Sequence, residues 1–138
     1  MKKVVLLACS SKKRNTESKA KDLYISPLFV KSLSYAHKLQ PDHIFILSAK
    51  YGLIALDTKI EPYDITLKRM PDVHVRVWSN GVLTQLSKHT DLDNDHFIIL
   101  AGKLYRKYLV IRLRSYEAPL EGLTIGRQLQ FLGRQATA

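Results

Sequence analysis

The sequence predicts an α/β protein, a three-layer domain with a central, mainly parallel sheet of three to four strands flanked by helices. Three observations predict it. Apolar runs without polar alternation recur at residues 4–8, 44–47 and 97–101, as strands buried on both faces require. Stretches of helical periodicity lie between these runs, long enough for the crossovers that parallel neighbours need. The 138 residues suit one domain burying roughly two-thirds of its unfolded surface, so the whole chain is expected to form a single α/β domain.

Each element follows from its own residues. VVLLA at 4–8 is the first strand. In SPLFVKSLSYAHKL, Ser26 is placed to cap, Pro27 takes the first helical position, and Leu28, Phe29, Leu33, Ala36 and Leu39 recur at helical spacing, which makes a βαβ unit with IFIL at 44–47. PDVHVRVWSNGVLTQLSKH supports two readings, because Val73, Val75 and Val77 alternate like a strand while Val75, Trp78, Val82 and Leu86 form a helical stripe. The helix is preferred, since the stripe is longer and a crossover to a third parallel strand, FIILA at 97–101, requires it. KLYRKYLVIRLR reads as helical through Leu104, Tyr105, Tyr108, Leu109 and Arg112. The tail resolves into a turn-like EAPLEGL and a last helix, IGRQLQFLGR, with Ile125, Leu129 and Leu132 on one face. SAKYGLIALDTKIEPYD at 48–64 reads as a long excursion without regular structure, too apolar at Leu53, Ile54, Leu56 and Ile60 for disorder, and is expected to pack over the rim of the sheet.

Composition narrows the function classes. The 22 Lys and Arg against 12 Asp and Glu leave a formal charge of +10. This either draws polyanions, nucleic acid foremost, or is solvated surface that maintains solubility. Cys9 is the single cysteine, which excludes an intramolecular disulfide framework and a thiolate zinc cluster, and points to the cytoplasm. No stretch approaches the ~20 apolar residues of a membrane span, and the apolar part of MKKVVLLACSS is too short for a signal peptide. The P-loop, G-x-G-x-x-G, H-E-x-x-H, paired C-x-x-C and G-x-S-x-G patterns are missing, so no metal or other cofactor is expected. His43 and His96 stand just before strands, and His37, His74 and His89 lie in or at the end of helical segments, which disperses the histidines.

The same punctuation ends each strand: small residues and then a lysine, at Lys12, Lys50 and Lys103. Ligands of open parallel sheets bind outside the carboxyl ends of the strands, so these three lysines are expected to share one rim. The 48–64 excursion leaves at that rim and adds Asp57, Glu61 and Asp64. Those carboxylates either neutralise a lysine in a structural network or supply a general base, for which Asp64 is the first choice. Tyr51 and Tyr63 offer stacking faces, and Gly52 a turn. Cys9, ahead of Lys12 and Lys13, is either an activated thiol or a small residue at a strand end.

CSSKK at 9–13, DLYISPLF at 22–29, ILSAKYGLIALDTKIEPYD at 46–64, AGKLY after the third strand and PLEGLTIGRQLQFL at 119–132 together resemble a bacterial and phage domain family of unassigned function. That family occurs alone or joined to transglycosylase-like enzymes that place 7-deazaguanine bases in DNA. LSAKYGLI with EPYD is more distantly similar to the peroxide-stress DNA-binding family, and CSSKK to the opening of the archaeosine synthase core signature. The resemblance implies an α/β domain that handles nucleic acid or a modified base. Its motif residues here are Cys9, Ser10, Lys12, Lys13, Leu23, Tyr24, Ser48, Lys50, Tyr51, Gly52, Tyr63, Asp64, Gly102 and Gln128.

Three functions stay open. The first is an enzyme that cleaves a glycosidic bond or modifies a base, with Asp64, Lys50 and Cys9 catalytic. Ser10, Lys12, Lys13, Tyr24, Ser48, Tyr51, Gly52, Tyr63, Gly102, Lys103 and Gln128 would then hold a nucleic acid or nucleotide-like substrate. The second is a non-catalytic DNA or RNA binder using KKR at 12–14 and RKYLVIRLR at 106–114. The third is a protein-interaction domain with a structural polar network.

Overall fold

A five-stranded sheet forms the middle layer of the computed structural model, which describes residues 1–137. In chain order the elements are β1 (Lys3–Ala8), β2 (Ser18–Lys19), α1 (Ala20–Leu23), α2 (Pro27–Lys38), β3 (His43–Ser48), β4 (Gly52–Ala55), β5 (Lys59–Ile60), α3 (Asp72–Ser87), β6 (His96–Leu100), α4 (Lys103–Arg106), β7 (Ser115–Glu117) and α5 (Ile125–Thr137), with single 3-10 turns at Leu67–Arg69 and Val110–Arg112. The sheet order is β4-β3-β1-β6-β7. β1 runs parallel to both β3 and β6, β7 is parallel to β6, and β4 is antiparallel to β3.

Side chains leave the strands alternately to the two faces. Val5, Leu7, Ile46, Ile98 and Leu100 pack with Phe29 and Ala36 of α2 and Leu132 of α5. Val4, Leu6, Phe45, Leu47, Phe97 and Ile99 pack with Val82, Leu83 and Leu86 of α3. The apolar runs are continuous because both faces are covered, so the α/β three-layer reading holds. Ser26 does cap α2, its Oγ accepting the Phe29 N–H at 3.3 Å. At the opposite rim Asp95, 5 % exposed, accepts the Asp91 and Lys2 N–H groups at 2.9 Å. These bonds hold its carboxyl below the usual carboxylate range and join the start of β6 to the start of β1.

Three expectations are corrected. The sheet has five strands instead of three to four, because β4 and β7 add short edges. The excursion after β3 is structured: residues 49–51 turn the chain into β4, with Ser48 paired to Gly52, and β5 pairs with β2 in a separate two-stranded ribbon. Segment 103–114 is not one helix. α4 stops at Arg106, and the chain then turns to bury Leu109 and Leu113 while Ile111 is 74 % exposed. β-branched Val110 and Ile111 offer weak helical propensity against that burial. Among the described residues no helix is long and apolar enough to cross a membrane.

Gly52 has φ +73°, and a Cβ there would stand 2.4 Å from Gln85 Oε1. That amide clamps the strand edge by accepting the Leu53 N–H at 2.9 Å and donating to the Leu53 carbonyl at 3.3 Å. Gly52→Ala should therefore cost about 2–3 kcal/mol in urea unfolding. The Ser79 hydroxyl is fully buried with no partner, so Ser79→Ala should raise stability by about 1 kcal/mol in the same measurement.

Candidate functional site

The chain leaves β1 through α2 to β3 on one side, then returns through α3 to β6 on the other. The carboxyl ends of β1 and β6 therefore flank the topological switch point, where doubly wound sheets place their ligands. A cavity of about 330 Å³ lies there. Ala8, Cys9 and Ser10 extend from β1, and Leu100, Ala101 and Gly102 from β6, so one wall is built of strand ends with mostly small side chains. The start of α2 supplies Ser26, Leu28, Phe29 and Ser32, and the returning segment supplies Leu120, Glu121, Gly122, Leu123 and Gln128. Gly122, at φ +78°, turns that segment, and Gln128 Nε2 fastens it by donating to the Leu123 carbonyl at 2.9 Å.

Lys103, Arg106 and Glu121 carry the charges lining the cavity. The Arg106 guanidinium, 13 % exposed, lies 3.4 Å from a Glu121 carboxylate oxygen and donates to the Ala101 carbonyl at 3.3 Å. This pair neutralises itself.

A second polar cluster lies on the other side of β1, at the end of β3. Ser48 Oγ accepts the N–H groups of Lys50 and Tyr51 at 3.2 and 3.0 Å, closing the turn into β4, and donates to the Tyr63 hydroxyl at 2.8 Å. Tyr63 and Tyr24 share a hydroxyl–hydroxyl bond of 2.6 Å. Lys13 Nζ stands 4.4 Å from the centre of the Tyr63 ring, and Lys50 Nζ 5.2 Å from that of Tyr51, both within cation–π range. Trp78 Nε1 donates to the Ser48 carbonyl at 2.8 Å. Cys9 connects the two regions: it lines the cavity, and its Sγ is 3.3 Å from the hydroxyl of Tyr105, whose ring packs edge-on against Trp78 at 5.6 Å between centres.

Burial decides the protonation of this cluster. It pushes the Tyr24 phenol up to about 12 and raises Tyr63 and Tyr105 further, with the neighbouring Cys9 thiol adding to both. At neutral pH these phenols are uncharged donors and cannot serve as bases.

Of the residues singled out in the sequence, Cys9, Ser10, Gly102, Lys103 and Gln128 meet at the cavity. Lys13, Tyr24, Ser48, Lys50, Tyr51 and Tyr63 form the tyrosine cluster beside it. Lys12 is exposed, and its carbonyl accepts from Ser10 Oγ at 3.0 Å and from the Ile25 N–H at 3.1 Å. Gly52 serves the turn. Asp64 is exposed and does not line the cavity. Asp57 faces Lys21 and Lys19 at 3.2 and 3.9 Å, away from the rim lysines. Sequence reasoning missed Ser32, Arg106 and Glu121 as site residues. Glu121 stands inside the PLEGL motif, between the leucine and the glycine that turn the chain, and that position was its signal.

The raised phenols set an alkaline limit on the fold. Their neutral forms are favoured in the folded state, so the phenols' contribution to stability should be constant below the ordinary phenol value of 10.0 and fall as pH climbs towards about 12. Ultraviolet titration should show Tyr24 ionising late, and Tyr24→Phe should flatten the fall.

The family model described as a family of unknown function, DUF6884, matches residues 4–134. No curated protein and no solved structure gives a significant match. Spanned almost end to end by that one model, the chain belongs to the DUF6884 family of unknown function.

Proposed function

We propose that this protein is an enzyme acting on a nucleobase or nucleotide unit, by glycosidic-bond cleavage or base modification, in the cavity between the ends of β1 and β6. The observation that carries the reading is the cavity itself. It lies at the switch point, its volume of about 330 Å³ falls at the small end of the ligand-pocket range, and its apolar wall of Leu28, Phe29, Leu120 and Leu123 faces polar groups that converge from separate segments. Such a space suits one heterocycle with its sugar and is too small for a duplex.

Glu121 is the one carboxylate lining the cavity among the described residues, and we assign proton transfer to it in place of Asp64. In hydrolysis of an N-glycosidic bond it would take a proton from the water that attacks the sugar carbon, while the bond to the base breaks, and would then return that proton to the departing base, leaving the carboxylate as it began. Arg106 orients that carboxylate. Cys9 and Gln128, which line the cavity, would read polar edges of the base. The motif resemblance to domains accompanying 7-deazaguanine insertion supports a base as the reacting group, and a cytoplasmic setting suits the free Cys9 thiol.

A second reading is favoured by one specific arrangement. Lys13 and Lys50 lie over tyrosine rings beside exposed Lys12 and Arg14, as in surfaces that stack bases and track phosphates of single strands. Under this reading the protein binds DNA or RNA without turning it over.

Mass spectrometry of bases and nucleosides released from DNA, RNA and free nucleotides separates the two. The enzyme reading expects release, a loss of about 100-fold or more in Glu121→Gln with binding retained, and near-normal turnover in Asp64→Asn. Absence of any product, together with nucleic-acid affinity that falls steeply with salt and weakens in Lys50→Ala, would establish the binder instead.

A further inference from the structure

We propose that the cavity has a dedicated seat for a phosphomonoester, framed by the N-termini of α2 and α5 and by Lys103, so that its ligand is a free nucleoside monophosphate and not a unit inside a DNA or RNA strand. The proposal rests on the reading of the cavity as a nucleotide site and names which nucleotides enter it.

Both helices begin at the cavity. Ser26, Leu28 and Phe29 of α2 line it, as do Leu123 and Gln128 on either side of the α5 start. At α2, Ser26 satisfies the Phe29 and Val30 N–H groups and Pro27 has none to offer, which leaves the Leu28 N–H without a partner among the described residues. At α5, Thr124 satisfies the Arg127 and Gln128 N–H groups through its hydroxyl and carbonyl at 3.3 and 2.8 Å. Neither first turn carries an acidic residue, although a carboxylate there is the usual complement of a helix dipole. The space for an anion is left open by the protein's own side chains.

Two further observations are independent of the helix ends. Ser32 is only 4 % exposed and lines the cavity, yet its hydroxyl makes no hydrogen bond among the described residues. Ser79 Oγ is the fully buried oxygen without a partner among the described residues, so the Ser32 oxygen keeps contact with the cavity, where an occupant can supply its partner. Lys103 also lines the cavity and has no carboxylate partner among the described residues, whereas the Arg106 charge is matched by Glu121.

The charges select the ligand. Two helix N-termini at about half an elementary charge each, plus one ammonium, present about +2. A terminal phosphate carries about −1.5 to −2 at neutral pH, whereas a phosphodiester inside a strand carries about −1 and has its phosphate blocked on both sides. The match is to the monoester.

Calorimetric titration of the full chain tests this with nucleoside 5′-monophosphates, the matching nucleosides, a dinucleoside monophosphate and inorganic phosphate. The monophosphates should bind at least about tenfold more tightly than their nucleosides, inorganic phosphate should compete, and the dinucleotide should gain nothing over a nucleoside. Lys103→Ala should remove about tenfold from monophosphate affinity alone, and Lys103→Arg should restore it. Affinity should also weaken as pH drops through the second phosphate ionisation near about 6. Equal binding of nucleoside and monophosphate would overturn the phosphate seat while leaving the nucleotide reading intact. Binding of inorganic phosphate with no gain from any nucleoside would do the reverse. Tight binding of the dinucleotide would overturn the restriction to free nucleotides, and no binding at all would remove both.

Discussion

Hydrogen bonding of β1 to parallel neighbours on both sides is the constraint from which the rest of the rim follows. Leu7 is in register with Ile46 on β3 and with Leu100 on β6, so three segments distant in sequence end at the same level. Cys9 continues the ladder by donating its N–H to the Leu47 carbonyl at 3.1 Å. Val4, Val5, Leu6 and Leu7 are wholly buried, and a slip of one residue would send each to the opposite face. Packing on two faces therefore fixes, within one residue, which side chains reach the rim.

That rim is divided by what covers it. On the β6 side the start of α2 and the returning segment after β7 leave a hollow; on the β3 side the tight turn into β4 and the Tyr24–Tyr63 pair fill the space. Ser48 shows how one residue meets two demands, since it satisfies two N–H groups of the turn and donates to the half-buried Tyr63 phenol. Much of the polar chemistry after β3 is thus architectural. The chemistry with open volume in front of it lies one strand away.

What could be read from the sequence depended on how local its cause was. The three long strands were legible because continuous apolar runs have few other homes, and the start of α2 because Ser26 and Pro27 form a strong local signal. β4 was not, because four residues after a turn carry little pattern and their pairing is set by β3 and by Gln85, more than thirty residues away. The break after Arg106 came from burial of Leu109 and Leu113, which no periodicity within the segment announces. For the site, closeness in sequence to a strand end misled: Asp64 follows β3 but faces solvent, whereas Glu121 reaches the cavity only because the chain returns past β6 through β7. Lys103 and Gly102 were found because their strand end forms the wall itself.

The solitary cysteine has a practical meaning in its present position. It is the one thiol in the sequence, and it sits in the lining of the hollow. A thiol-selective reagent would therefore react at a single defined spot, and an occupant of the hollow would shield that spot from it. The native chain comes with its own gauge of what fills that space, and no cysteine has to be engineered in or removed to use it.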